Sequence, residues 1–140
     1  LGLDSFHAEY DATGTLLGGS LIHASARDWA RFGEFLRRSG SHKGVQIVPR
    51  SWIDFMRSPS PRDGGYGAHL WLNRPRPEGR ADVLFPGRGP ANLFAASGHL
   101  GQYVIVSPDQ QLVIVRLGHT PDAQRGPVRD QLAQIVELYD

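Results

Sequence analysis

An α+β fold is what this sequence predicts, on three observations. An amphipathic helical segment comes early, short Val- and Ile-rich runs dominate the second half, and another amphipathic segment closes the chain. The 140 residues are 40% hydrophobic and 21% charged, which is apolar enough to bury a core. The order is helices, then antiparallel strands, then a C-terminal helix.

Residues 1–20 hold Gly2, Gly14, Gly18 and Gly19 among Asp and Thr, and predict irregular structure. The first helix is expected over 25–39. Ser25 is a suitable N-cap, and Asp28 three positions on suits a capping box. Ala26, Trp29, Ala30, Gly33 and Leu36 share one face. Arg27, Arg31, Glu34 and Arg38 share the other, expected to be solvated, and Gly40 stops the helix. A short apolar piece, Val45–Val48, leads to Pro49, a residue favoured in a helix's first turn. Trp52, Phe55 and Met56 then predict a helix near 50–57 with that stripe in the core, ended by Pro59 and Pro61.

The period then changes. Tyr66 to Leu72 predicts a strand. Residues 73–91, with Pro75, Pro77, Pro86 and Pro90, predict loop with a short strand at Val83–Phe85. Strands are expected at Leu93–Ala96, Gln102–Val106 and Leu112–Leu117. The last two are joined by the turn-like stretch 107–111, and so should pair as a hairpin. Both are apolar at successive positions, which implies a sheet covered on both sides. Pro127 opens the closing helix, whose stripe is Val128, Leu132, Ile135, Val136 and Tyr139.

Composition excludes several classes of function. A net charge of +1 gives no footprint for nucleic acid or an anionic membrane. No apolar run approaches the roughly 20 residues of a membrane span. Cysteine is absent, which removes disulfides, thiolate chemistry and Cys-based zinc sites, and leaves a periplasmic or a cytoplasmic location open. There is no GxSxG, HExxH, P-loop or GxGxxG motif. The six histidines, His7, His23, His42, His69, His99 and His119, are never spaced at i,i+2 or i,i+4, so no metal and no cofactor is expected. The chain opens on Leu1 without an initiator Met, as a processed or excised piece would.

One segment concentrates chemical potential: Ala95-Ala96-Ser97-Gly98-His99-Leu100-Gly101-Gln102. Small side chains and two glycines let a substrate or another backbone approach closely. A histidine among them can exchange a proton near neutral pH. The competing reading is a glycine-rich turn with an exposed histidine.

The run from Gly98 to Asp109, followed by Leu112-Val113-Ile114-Val115, resembles the last strands of the class C β-lactamase and penicillin-recognising family. It is most similar to the esterase and 6-aminohexanoate-dimer hydrolase branch. Ala24 to Gly33 resembles a helix of that family's helical lobe, and Tyr66-Gly67 with Trp71 resembles the lead-in to its sheet. The resemblance implies the C-terminal part of a β-lactamase/transpeptidase-like fold. Residues 1–62 would be a remnant of the helical lobe, and 63–140 the sheet strands and C-terminal helix of the α/β lobe.

Such enzymes form an acyl-enzyme with three motifs: a Ser-x-x-Lys, a Tyr-x-Asn or Ser-x-Asn, and a Lys-Thr-Gly-type strand. No serine here has Lys three residues on, the single lysine being Lys43, and no tyrosine has Asn two residues on. The nucleophile and general base are therefore expected outside this chain, which would be inactive alone. The third motif fits in two registers. Ala96-Ser97-Gly98 can stand for Lys-Thr-Gly, with the His99 N–H as oxyanion donor. Alternatively, His99-Leu100-Gly101 is a His-x-Gly variant with the Gln102 N–H as donor. The first keeps the following strand at the expected distance. Ser97, Gly98, His99, Gly101 and Gln102 are thus the implied substrate and oxyanion residues.

Either register lacks the lysine that holds an anionic carboxylate, so the resemblance implies an ester or amide substrate ahead of a β-lactam. The implied partner is the missing N-terminal segment or a second copy of the chain. A non-catalytic binding module on the same scaffold, and a metal-dependent hydrolase using dispersed His, are the alternatives.

Overall fold

The structure is a computed structural model that describes residues 1–139. Among the described residues, eight strands and three α-helices follow in order. β1 (His7–Ala8) and β2 (Ile22–His23) pair with each other, and α1 spans Ala26–Arg37. β3 (Ser41–His42) and β4 (Val45–Gln46) form a small hairpin before α2 (Arg50–Met56). β5 (Trp71–Leu72), β6 (Phe94–Gly98), β7 (Gln102–Ser107) and β8 (Leu112–Arg116) make one antiparallel sheet in that spatial order. A 3-10 turn at Asp122–Gln124 leads into α3 (Arg125–Glu137).

The sheet is covered on both faces, as its apolar strands require. Phe94 and Val106 face one way, onto Phe35 and Leu36 of α1, Ile53 of α2, and Leu70 and Leu72. Ala95, Tyr103 and Ile105 face the other way, onto Leu132, Ala133 and Val136 of α3 together with Leu84, Phe85 and Leu93. Successive residues of β6 and β7 thus alternate between two cores. α1 lies close on β7 and β8 because of Gly33. A Cβ there would sit 2.6 Å from Val113 Cγ1 and 3.0 Å from Val104 Cγ1.

Ser25 caps α1, its Oγ accepting from the Asp28 N–H at 3.3 Å. Asp28 does not return the bond as a capping box would. Its Oδ2 accepts from the Ser5 N–H at 2.9 Å and the Ser5 hydroxyl at 2.6 Å, and its Oδ1 from Arg31 at 2.8 Å. The Ser25 N–H donates instead to Ser5 Oγ at 2.9 Å. Buried at 3% exposure, the Asp28 carboxyl is held below the usual carboxylate range, first by the Ser5 hydroxyl.

Several expectations need correction. The stretch 66–72 is not one strand: only Trp71–Leu72 joins the sheet, and Tyr66 bridges back to Trp71 across a bend at Gly67–Leu70. Val83–Phe85 is loop with no ladder partner, Leu84 and Phe85 buried and Val83 half-buried. The N-terminal 20 residues are less irregular than predicted, since β1 finds β2. The last strand stops at Arg116, one residue short of Leu117.

In α2 the buried residue is Ile53, at 1% exposure, with Met56 packed beside it. Trp52 and Phe55 are each 55% exposed and stack on each other at 5.4 Å between ring centroids. A seven-residue helix presents one narrow stripe to the core, and the residues i−1 and i+2 of Ile53 fall outside it. In α3, Leu132 and Val136 are buried while Ile135 and Tyr139 are exposed, because the 128/132/136 line faces the sheet.

The Pro-rich segment 73–91 is held by a few polar side chains. Buried Asn73 donates through Nδ2 to the Arg88 carbonyl at 2.8 Å, and its Oδ1 accepts from the Phe85 N–H at 3.2 Å. Asp63, also buried, receives Arg76 at 2.7 Å and Arg80 at 3.3 Å, and takes the Gly65 N–H at 3.0 Å. The same Arg76 guanidinium lies 4.9 Å from the Trp71 ring centroid. Arg76 holds the Asp63 carboxyl below its ordinary range.

Candidate functional site

The residues Ser97 to Gln102 form the turn between β6 and β7. Ser97 is opposite Tyr103 and Gly98 opposite Gln102, leaving His99, Leu100 and Gly101 as a three-residue connection. Leu100 (φ 57°) and Gly101 (φ 74°) both lie in the left-handed region, which a glycine enters without strain and a leucine does not. Gly101 is buried, Ser97, Leu100 and Gln102 are half-buried, and Gly98 and His99 are exposed. The Gln102 side chain folds back, its Nε2 donating to the His99 carbonyl at 3.1 Å.

The main chain at Ser97 has a particular setting. The Asn73 N–H donates to the Leu93 carbonyl at 3.0 Å, which fixes which residues of β6 turn their N–H and C=O toward β5. By the two-residue alternation these are Leu93, Ala95 and Ser97. β5, however, reaches only as far as the Trp71–Ala95 pair. The N–H and C=O of Ser97 are therefore directed at an edge where, among the described residues, no strand lies, and the trans peptide after Gly98 turns the His99 N–H to the same side, away from Gln102. Gly98 and Gln102 instead face each other across the ladder. An open edge of this kind can take an extended ligand by main-chain hydrogen bonds.

Two residues outside the segment hold the turn, and neither was singled out in the sequence. Arg116, at the end of β8, donates to the Gly101 carbonyl at 2.5 Å and to the Thr120 hydroxyl at 2.6 Å. The Thr120 N–H donates to the Leu100 carbonyl at 2.9 Å. The only signal in the sequence is a charged residue closing an apolar run.

Charge is concentrated elsewhere. A groove of about 500 Å³ runs along the face of α1 opposite Gly33, lined among others by Arg27, Arg31, Glu34, Arg38, His42 and Lys43. Arg37 and Arg38 hold the Glu34 carboxyl down to about 2. None of the residues from Ser97 to Gln102 lines this groove. Among the described residues no cluster of three or more His, Asp or Glu is placed to hold a metal ion, and no helix is long and apolar enough to cross a membrane.

No family model and no curated protein matches the sequence. Solved structures do. A protein from Bacillus anthracis, provisionally named a 6-aminohexanoate-dimer hydrolase, superposes with a TM-score of 0.68 at 20% identity over 98% of this chain and 36% of that one. A protein from Bacteroides dorei DSM 17855, provisionally named a β-lactamase, superposes with a TM-score of 0.61 at 14% identity over 98% of this chain and 48% of that one. The fold is thus β-lactamase-like, as the last strands and α1 implied. The chain spans between about a third and a half of the length of these neighbours, a coverage consistent with the expected C-terminal portion.

Proposed function

We propose that these residues are the C-terminal portion of a β-lactamase-like serine hydrolase, which cleaves an ester or amide through an acyl-enzyme. In this reading the chain supplies one wall of the acyl-transfer site. Ser97, Gly98, His99, Gly101 and Gln102 line it, while the serine nucleophile and its base lie on another segment. Residues 1–62 belong to the helical lobe and 63–140 to the α/β lobe, Asp140 lying outside the described residues.

The observation that carries the proposal is the open backbone edge at Ser97, beside a tight glycine turn, on a fold shared with hydrolases. The backbone phase supports the register in which Ala96-Ser97-Gly98 replaces Lys-Thr-Gly. There the donor is the His99 N–H, which faces the open edge, whereas the Gln102 N–H faces Gly98 in the ladder. With alanine in the lysine's place, nothing at that position attracts a substrate carboxylate, which favours esters and neutral amides over β-lactams.

The partner in this reading is the missing N-terminal segment. β8 is an edge strand whose five residues are all half-buried, four of them apolar, and such edges recruit another strand. Light scattering of the 140-residue chain is expected to show self-association, and a clean monomer counts against an edge in need of cover.

The function is tested with a fluorophosphonate probe and p-nitrophenyl acetate. The 140-residue chain alone should neither label nor turn over ester. Joined to the segment encoded before Leu1, it should do both, with the label on a Ser-x-x-Lys serine of that segment. Labelling of the isolated chain, or the lack of any Ser-x-x-Lys before Leu1, overturns the proposal.

A further inference from the structure

We infer that Arg116 is a positioning residue for the turn that carries the oxyanion donor, acting with Thr120 as a clasp on the backbone of Leu100 and Gly101; this deepens the proposed function and rests on it. The clasp consists of three bonds, two of them from the chain after β7 to the turn and one tying Arg116 to Thr120. Arg116 Nη1 holds the Gly101 carbonyl at 2.5 Å, Arg116 Nη2 holds Thr120 Oγ1 at 2.6 Å, and the Thr120 N–H holds the Leu100 carbonyl at 2.9 Å.

The surroundings are shaped for this arrangement. Thr120 and Gly101 are buried, so water does not replace these partners freely. A Cβ on Gly118 would lie 3.1 Å from Cζ and both Nη atoms of Arg116, so the glycine leaves room for the chain after β8 to lie across the guanidinium without displacing it. A Cβ on Gly101 would lie 3.4 Å from Arg116 Nη1 and from Thr120 Cβ. The planar fork of Arg meets the two acceptors with one nitrogen each, a fixed geometry that a lysine's single ammonium nitrogen does not reproduce.

The clasp bears on chemistry because the turn opens with His99. Leu100 sits at a positive φ that its side chain disfavours, and the turn keeps that conformation while its carbonyls are tied. A freed turn would relax and redirect the His99 and Gln102 N–H groups. An oxyanion donor acts on the charge that develops in the transition state, so misdirecting it lowers kcat and leaves KM largely alone.

The test uses the chain joined to the segment encoded before Leu1, with Arg116→Gln, Arg116→Lys, Thr120→Val and Thr120→Ser. Amide exchange at Leu100, Gly101, Gln102 and Thr120 should rise at least about tenfold in Arg116→Gln and Thr120→Val, as expected for losing one hydrogen bond to a charged group. Exchange elsewhere in β7 and β8 should stay as in the wild type. In the same variants kcat for ester should fall roughly 10- to 100-fold with KM within about threefold. Thr120→Ser should restore both readouts, and Arg116→Lys only part of each.

Unchanged exchange at the turn, or a rise spread evenly over the sheet, overturns the clasp. A rise in KM with kcat unchanged overturns its catalytic role. If Arg116→Gln does not fold, Thr120→Val alone decides. If the wild-type joined chain shows no acyl transfer, the proposed function fails, and the exchange readout still decides the clasp by itself.

Discussion

The β6–β8 sheet and the segment from Ser60 to Ala91 are both ordered, but in different proportions of apolar and polar contact. In the sheet, order is spread over many apolar contacts on two faces. In the 60–91 segment, Leu70, Leu72, Leu84 and Phe85 reach the cores, but the Pro-rich backbone between them is held by Asp63, Asn73 and Arg76, which satisfy groups that stretch cannot satisfy within itself. Distributed order loses stability in steps of volume, whereas concentrated order should fail at one residue and only locally.

Ile105→Ala sharpens this contrast most strongly. Ile105 is fully buried at the centre of the sheet, and its truncation should cost about 3–4 kcal/mol. Chemical denaturation should show that loss in the midpoint, with every probe shifting together. Asn73→Ala should cost about 2–3 kcal/mol, because it strands the Phe85 N–H and the Arg88 carbonyl, while the Pro90 carbonyl keeps the Leu93 N–H. Here hydrogen exchange should rise over residues 84–93 well before the sheet opens. A uniform rise over both regions would erase the distinction drawn between them.

A smaller effect concerns pH. The Asp63 carboxyl is held below its ordinary value chiefly by Arg76, so its contribution is present at neutral pH and is lost as pH falls through that lowered value. Between pH 6 and pH 3 the wild type should lose more stability than Asp63→Asn, in thermal melts of the two proteins side by side. The smallest effect is expected in α2. Trp52→Ala should change stability by under about 0.5 kcal/mol, since the ring is more than half exposed, whereas Ile53→Ala should cost about 3 kcal/mol. Equal losses for the two would return the aromatic pair to the core.

Legibility in the sequence follows the same divide. The paired strands, the cap at Ser25 and the closing helix are visible because period and capping are local properties. The partners of Asp28 were not visible, since Ser5 lies 23 residues away and looks like any loop serine. Trp52 and Phe55 misled because helical spacing marks a stripe without saying which of two neighbouring stripes is buried. In the candidate site, the glycines of the turn were legible, and the clasp was not. Arg116 and Thr120 meet the turn only once β8 has paired with β7.

The two-sided apolar character of β7 and β8 also changes how their alignment is guarded. In a strand with one wet face, a slip by one residue is punished at once because polar groups enter the core. Val104, Ile105, Val106, Val113, Ile114 and Val115 would present much the same polarity after such a slip. What distinguishes the correct alignment is volume and the reach of Arg116: the notch at Gly33 receives the methyls of Val104 and Val113, and Arg116 meets the Gly101 carbonyl. Shortening the Pro108–Gln111 connection by one residue would therefore leave the hydropathy profile intact. It would still produce a misaligned protein, an error that a comparison of apolar patterns alone would never flag.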